Sequence, residues 1–283
     1  MSTASHALGG RFVLGERLGA GSMGAVHVAD DLATGARVAV KILHPHLAAD
    51  RELVSRFERE ALAVAALGHP NIVRPLAFAY TEDKRPYLAM ELLDGKSLGA
   101  VLREGGGAPL AEARVVRIGL EVLAALDAAH AAGIVHRDVK PDNVFLVTAA
   151  HGASERVKVL DFGTAKLLTA SEDMQLTREG VLLGTLTYMP PEQARGEDID
   201  ARADVYALGA CLYVALTGRK PFDAPNLPAL LIAIQNKAPT PIQALRPDAH
   251  AGVAAIIERA LAKRREDRWP SAKAMAGALR AFA

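Results

Sequence analysis

The apolar residues of this chain change period once, near residue 95, and that change restricts the fold more than any other feature. Before it, apolar and polar residues alternate at strand spacing, which predicts strands over Phe12 to Leu18, Ala25 to Ala29, Arg37 to Ile42 and Pro86 to Met90. One helix interrupts them. Phe57, Ala61, Val64 and Ala65 recur at helical spacing between Leu53 and Leu67, and the turn residues Gly68-His69-Pro70-Asn71 stop it. After Gly95 the spacing predicts Ala/Leu-rich helices over Ala111 to Ala132, Arg202 to Leu216, Leu227 to Asn236, Val253 to Lys263 and Ser271 to Phe282. A strand-and-loop block from about Ile134 to Glu192 separates the first two of these. The expected class is α+β: a small β-rich part with one helix, residues 1–91, and a larger helical part, residues 92–283, hinged at Leu92-Leu93-Asp94-Gly95. No internal repeat is present, and Gly105-Gly106-Gly107 is expected to be a loop within the larger part.

Composition narrows the partners. Of 283 residues, 51% are hydrophobic and 23% charged, which fits a soluble globular protein and excludes disorder or a disulfide scaffold. Thirty-three basic against 32 acidic side chains leave a charge of +1 without a basic block, so neither nucleic acid nor an anionic membrane surface is an expected partner. The single cysteine, Cys211, lies among apolar residues and is expected to be a buried thiol in a reducing compartment. No apolar run is long enough for a membrane span and the start lacks a signal-peptide core, so a cytoplasmic location is expected. A membrane anchor outside these residues would not show here.

Three stretches carry chemistry. Gly19, Gly21 and Gly24 stand at G-x-G-x-x-G spacing before a second predicted strand, where missing side chains let backbone N–H groups approach a polyphosphate. On this stretch alone, a glycine-rich turn without chemical meaning is an equal alternative. Lys41 sits inside the apolar strand Val38-Ala39-Val40-Lys41, where a lone ammonium would be costly, so it calls for anions. Glu60 faces inward by its spacing from Phe57 and Val64 and is the candidate ion-pair partner; two unrelated surface charges are the alternative. The most specific stretch is His136-Arg137-Asp138-Val139-Lys140-Pro141-Asp142-Asn143, followed 18 residues later by Asp161-Phe162-Gly163. A carboxylate, a lysine two residues on and an asparagine five residues on suit orientation of a hydroxyl, neutralisation of a phosphoryl group and ligation of a metal.

With these motifs in order from Phe12 to Phe282, the sequence resembles the eukaryotic-type (Hanks-type) serine/threonine protein kinases. The resemblance implies a bilobal protein-kinase fold, with an antiparallel β-rich N-lobe plus one helix, a mainly helical C-lobe and ATP between them. It implies that Gly19, Gly21 and Gly24 cover the phosphates, that Val26, Ala39 and Phe145 contact the nucleotide, and that Met90 is the gatekeeper. Glu91 to Leu93 would bind adenine through their backbone. Lys41 and Glu60 would form the ion pair, Asp138 would accept or orient the hydroxyl proton, and Lys140 would stabilise the migrating phosphoryl group. Asn143 and Asp161 would bind Mg2+, with Mn2+ as the alternative ion.

The resemblance also implies a Glu192–Arg268 pair anchoring the substrate-facing loop, and an Asp204 that tethers the catalytic-loop backbone. Lys140 and the pair Gly184-Thr185 point to serine/threonine acceptors, with Thr185 bonding Asp138 and Lys140, and Thr164 leans towards threonine. Pro190 departs from the family, where alanine is usual, and puts in question the local shape of the loop after Thr185. Arg137 beside Asp138 needs an anion, which a phosphothreonine supplies. Of Thr169, Ser171 and Thr177, the last is the expected autophosphorylation site, with self-association as the route in trans. Strings such as Pro191-Glu192-Gln193-Ala194-Arg195-Gly196 and His44-Pro45-His46-Leu47 resemble bacterial members. His44 and His46 are expected to be solvent-exposed, not metal ligands, and Trp269 to be a packing residue. A nucleotide-holding pseudokinase and a small-molecule kinase are the rival functions.

Overall fold

The structure is a computed structural model that describes residues 7–21, 23–148, 155–162 and 186–283. The chain divides into two compact units, Met1–Asp94 and Gly95–Ala283.

The first unit is a five-stranded antiparallel sheet in the order β1-β2-β3-β5-β4, with β1 Phe12–Ala20, β2 Gly24–Asp31, β3 Arg37–Leu43, β4 Pro75–Tyr80 and β5 Pro86–Glu91. Opposed residues in an antiparallel sheet share a face, so the register sorts the side chains. Phe12, Ala29, Val38, Val40, Ile42, Tyr87 and Ala89 form a buried core cluster. The pairs Val26↔Lys41, Ala39↔Met90 and Lys41↔Leu88 place Val26, Ala39, Lys41 and Met90 on the other face. A single-turn helix α1, Pro45–Ala48, leads into α2, Arg51–Leu67, which starts at an Asp50 cap accepting from Glu52 and Leu53 N–H and ends at a left-handed Gly68. Leu53, Phe57, Ala61 and Val64 are its buried stripe, whereas Ala65, expected inward, is exposed. Phe57 meets Phe78 edge to face at 5.7 Å, and Phe78 opposes Leu88. The helix therefore lies on the Lys41 face of the sheet.

The second unit has a three-stranded sheet, β6 Gly95–Ser97, β7 Val144–Val147 and β8 Arg156–Val159, in that order. Among its described residues the helices are α3 Leu98–Glu104, α4 Glu112–Ala131, α5 Pro191–Ala194, α6 Arg202–Thr217, α7 Leu227–Asn236, α8 Ile242–Leu245, α9 Ala251–Ala260 and α10 Ala272–Leu279. Nearly every side chain of α6 is buried, because α4, α9 and α10 pack around it. Cys211, on α6, is fully buried with its thiol pushed well above the usual value by burial. The helix expected over Val253 to Lys263 ends at Ala260, because the carbonyls of Ala262 and Lys263 turn to accept from Arg268. The last helix stops at Leu279 and tightens into a 3-10 turn to Phe282. Among the described residues no helix is long and apolar enough to cross a membrane.

Candidate active site

The hairpin β7–β8 positions the chemistry of the second unit. Val144 opposes Val159, and the Leu160 N–H donates to the Asn143 carbonyl at 2.9 Å. Asn143 and Asp161 therefore stand at the same end of the hairpin although 18 residues separate them. Asp161 has φ of +55°, a left-handed conformation uncommon for a residue other than glycine. Just before the hairpin, the Asn143 amide nitrogen donates to the Asp138 carbonyl at 2.8 Å and to Asp138 Oδ2 at 3.0 Å. Its nitrogen is thereby committed, and its oxygen is the atom presented elsewhere. Lys140 Nζ donates to Asp138 Oδ2 at 2.7 Å. Asp138, Lys140 and Asn143 thus form one connected group, with the carboxylate partly exposed.

A second tier holds that loop. Asp204, 1% exposed on α6, accepts from the His136 N–H and the Arg137 N–H, both at 2.8 Å, and from His130 Nε2–H at 2.7 Å. The backbone at Arg137 is left-handed, with φ of +67°, a strained conformation that surrounding bonds must hold. His136 is fully buried. Its Nε2–H donates to the Leu160 carbonyl at 2.8 Å, so its Nδ1 is the acceptor of the Asp138 N–H at 3.3 Å. Its ring packs on Phe162 at 4.5 Å. His130 had no role in the sequence reading. The signal that could have marked it is a histidine in the last turn of α4, six residues before His136.

Glu192 and Arg268 meet as a buried bidentate pair, with both contacts at 2.7 Å. Pro190 is accommodated as the extended residue capping α5, with Pro191 at the first helical position. A cavity beside Asp138 is lined by Arg137, Leu186, Tyr188, Met189 and Gln193. Arg137 Nε is buried and has no partner among the described residues. Thr164, Thr169, Ser171, Thr177, Gly184 and Thr185, with Gly163, lie outside the described residues.

In the first unit, Lys41 is 6% exposed on β3, and Glu60, half-buried on α2, lies three residues after the buried Phe57. Val26 and Leu93 are half-buried, and Ala39 and Met90 are buried. Glu91 is locked to the start of β4: its N–H donates to the Arg74 carbonyl at 3.0 Å and its carboxylate accepts from the Arg74 N–H at 2.8 Å. Phe145 is half-buried on β7 of the second unit. The three glycines are not equivalent. A Cβ at Gly24 would lie 2.0 Å from the Ile42 carbonyl oxygen, so that glycine is required by the approach of β2 to β3. At Gly19 and Gly21 a Cβ would meet nothing within 4 Å.

A five-stranded antiparallel sheet followed by a mainly helical unit is the fold of a protein kinase domain. The family model of the protein kinase domain matches residues 12–277, and the chain belongs to that family. It is 49% identical over 270 residues to serine/threonine-protein kinase Pkn1 of Myxococcus xanthus, covering 95% of this chain and 38% of that protein. To PknB of Mycobacterium tuberculosis it is 39% identical over 278 residues, covering 97% of this chain and 43% of that one. The chain thus spans less than half the length of these bacterial relatives. The crystal structure of the Mycobacterium tuberculosis PknI kinase domain superposes with a TM-score of 0.75 at 30% identity, covering all of both chains. The expected kinase fold, antiparallel sheet before helical unit, is the one observed.

Proposed function

We propose that the chain transfers the γ-phosphoryl group of Mg-ATP to serine or threonine hydroxyls of proteins. The single observation that carries this reading is the Asp138–Lys140–Asn143 group, held from behind by Asp204. Asp138 orients the acceptor hydroxyl and takes its proton, while Lys140, 2.7 Å from that carboxylate, offsets charge on the migrating phosphoryl oxygens. Lys41, paired with Glu60, holds the α and β phosphates, and the open sides of Gly19 and Gly21 leave room for phosphate above the hairpin turn. Val26, Ala39, Met90 and Phe145 contact the base and sugar. Because the Glu91 N–H is already engaged, the donor to adenine is assigned to Leu93.

The amide oxygen of Asn143 and the carboxylate of Asp161 are hard oxygen donors at one hairpin end, a set that fits Mg2+ and also Mn2+. That ion, when bound, neutralises charge on the nucleotide phosphates. Arg137, whose buried Nε has no partner among the described residues, supports regulation by phosphate on the 164–189 segment. Thr177 is the assigned autophosphorylation site, modified by a second copy of the chain. Residues 1–91 act as the nucleotide-holding part and 92–283 as the catalytic part, in the cytoplasm.

The test is incubation with labelled ATP and Mg2+, with myelin basic protein as acceptor and Asp138→Asn as control. Label on serine and threonine in the wild type, lost by at least a hundredfold in the variant, is the expected result. Nucleotide binding without transfer would overturn the reading in favour of a pseudokinase, and label only on small hydroxyl compounds would favour a small-molecule kinase. Loss of phosphatase-sensitive activation in Thr177→Ala is the separate check on the regulatory site.

A further inference from the structure

Of the described residues between β1 and β2, Met23 is buried and Gly21 is exposed. A Cβ at Gly19 or Gly21 would meet nothing within 4 Å, and among the described residues the Gly21 N–H donates to the Gly24 carbonyl across the turn at 2.9 Å. A glycine-rich turn of this kind loses more conformational freedom on ordering than any other sequence. Yet its position decides whether its N–H groups can meet an anion.

His44 reaches this turn at two points. Its backbone N–H donates to the Met23 carbonyl at 2.9 Å. Its ring Nε2–H donates to the Gly21 carbonyl, also at 2.9 Å. Contrary to the expectation of a solvent-exposed loop histidine, His44 is half-buried, because the hairpin folds back against the end of β3. The residue is itself immobilised: as the cap of α1, its carbonyl accepts from the Leu47 and Ala48 N–H groups, both at 3.1 Å, and Pro45 fixes the helical exit. The exposed His46 ring stacks on the His44 ring, with centroids 5.7 Å apart and planes 16° apart. Since a carbonyl only accepts, the ring must carry its proton on Nε2. Both the neutral Nε2–H tautomer and the cation meet that requirement, so the contact does not need a charged ring.

We propose that His44, supported by His46, is a positioning residue that fixes the glycine-rich turn where it meets the polyphosphate of the nucleotide. This rests on the kinase reading above. It makes His44 selective in its effect: a ligand with phosphates depends on the turn, and the nucleoside alone does not.

The experiment measures dissociation constants of ATP, ADP and adenosine by calorimetry on the full chain, for wild type, His44→Ala and His44→Gln, with thermal unfolding alongside. Loss of one exposed hydrogen bond is expected to weaken ATP and ADP on the order of threefold to fivefold. Adenosine should be unchanged, and glutamine, whose amide can donate in place of the ring, should recover most of the loss. Unchanged ATP affinity in His44→Ala would overturn the proposal, as would equal weakening of ATP and adenosine, which marks a general structural role. A glutamine variant as weak for ATP as the alanine one, with adenosine retained, would overturn the hydrogen bond as the cause. A wild-type chain that binds adenosine but gains nothing from phosphates refutes the positioning role while leaving a nucleoside site. One that binds none of the three removes the kinase reading and this proposal together.

Discussion

Replacing Arg268 with methionine should be among the most damaging single changes to the second unit. The guanidinium is 1% exposed, and all five of its N–H donors have acceptors. Two go to the Glu192 carboxylate at 2.7 Å, and three to the carbonyls of Ala262 at 2.8 Å, Lys263 at 3.1 Å and Arg202 at 3.2 Å. The Tyr206 ring lies 4.8 Å from the guanidinium carbon. Methionine keeps the packing volume but leaves a buried carboxylate and three carbonyls without donors. Stranding one half of a buried ion pair costs about 3–5 kcal/mol, and the orphaned carbonyls belong to the same loss, so about 4 kcal/mol is the working figure. For a domain of this size that lowers Tm by roughly 10 °C. The sole tryptophan, Trp269, is the next residue, with its indole N–H on the Ile256 carbonyl at 3.0 Å, so its fluorescence during urea unfolding reports on this spot. The double variant Glu192→Leu with Arg268→Met removes the stranded charge but not the carbonyl deficit, and should recover only part of the loss. A loss below about 1 kcal/mol in Arg268→Met, or a double variant no better than the single one, would refute the reasoning.

Two further predictions separate effects that sequence alone merges. Gly24→Ala should unfold the first unit several degrees earlier, since its Cβ would collide with the Ile42 carbonyl, whereas Gly19→Ala should leave thermal stability within about 0.5 kcal/mol while weakening ATP; equal stability losses would contradict the assignment. Lys263, half-buried with its ammonium 3.8 Å from the Phe222 ring centre, has its pKa lowered from 10.5 to about 8, by burial first and by the Arg268 charge second. A base depressed in the folded state stabilises fully only above its unfolded value and loses that contribution as pH falls to the folded one. Wild-type stability should therefore gain on that of Lys263→Met between pH 8 and 10.5 in urea titrations, and parallel profiles would exclude the effect.

What the sequence made legible was whatever chemistry clusters locally. Asp138, Lys140 and Asn143 are legible because six consecutive residues carry all three, and the strands around Lys41 are legible because β-branched residues alternate there. The missed elements lack those signals. Strand β4 begins at a proline and is half-buried along most of its length, so it shows no alternation. Helix α3 is seven residues long with Gly99 inside it, β6 has only three residues, and β7 and β8, four residues each, are expected only as part of an undivided strand-and-loop block. Periodicity over so few positions cannot be told from chance.

Of the residues that support the site, Asp204 is legible through the family resemblance, whereas its partner His130 and the contact of His44 with the turn are not, for a different reason. His130 and Asp204 are 74 positions apart, and His44 and Gly21 are 23 apart; neither pairing follows from spacing, because each depends on how an already folded element returns. Gly24 shows the same limit from the opposite side. Its place in the G-x-G-x-x-G string suggests that it serves the phosphates with the other two, but the Ile42 carbonyl 2.0 Å from its missing Cβ makes it a requirement of sheet closure. Gly19 and Gly21, which the fold does not need, are the ones left for a ligand. A glycine that packing explains says little about function, and an unexplained one in the same motif says more. By this criterion the nucleotide reading of the turn rests on two glycines rather than three, and His44, bonded to the Gly21 and Met23 carbonyls, ties the turn to the end of β3.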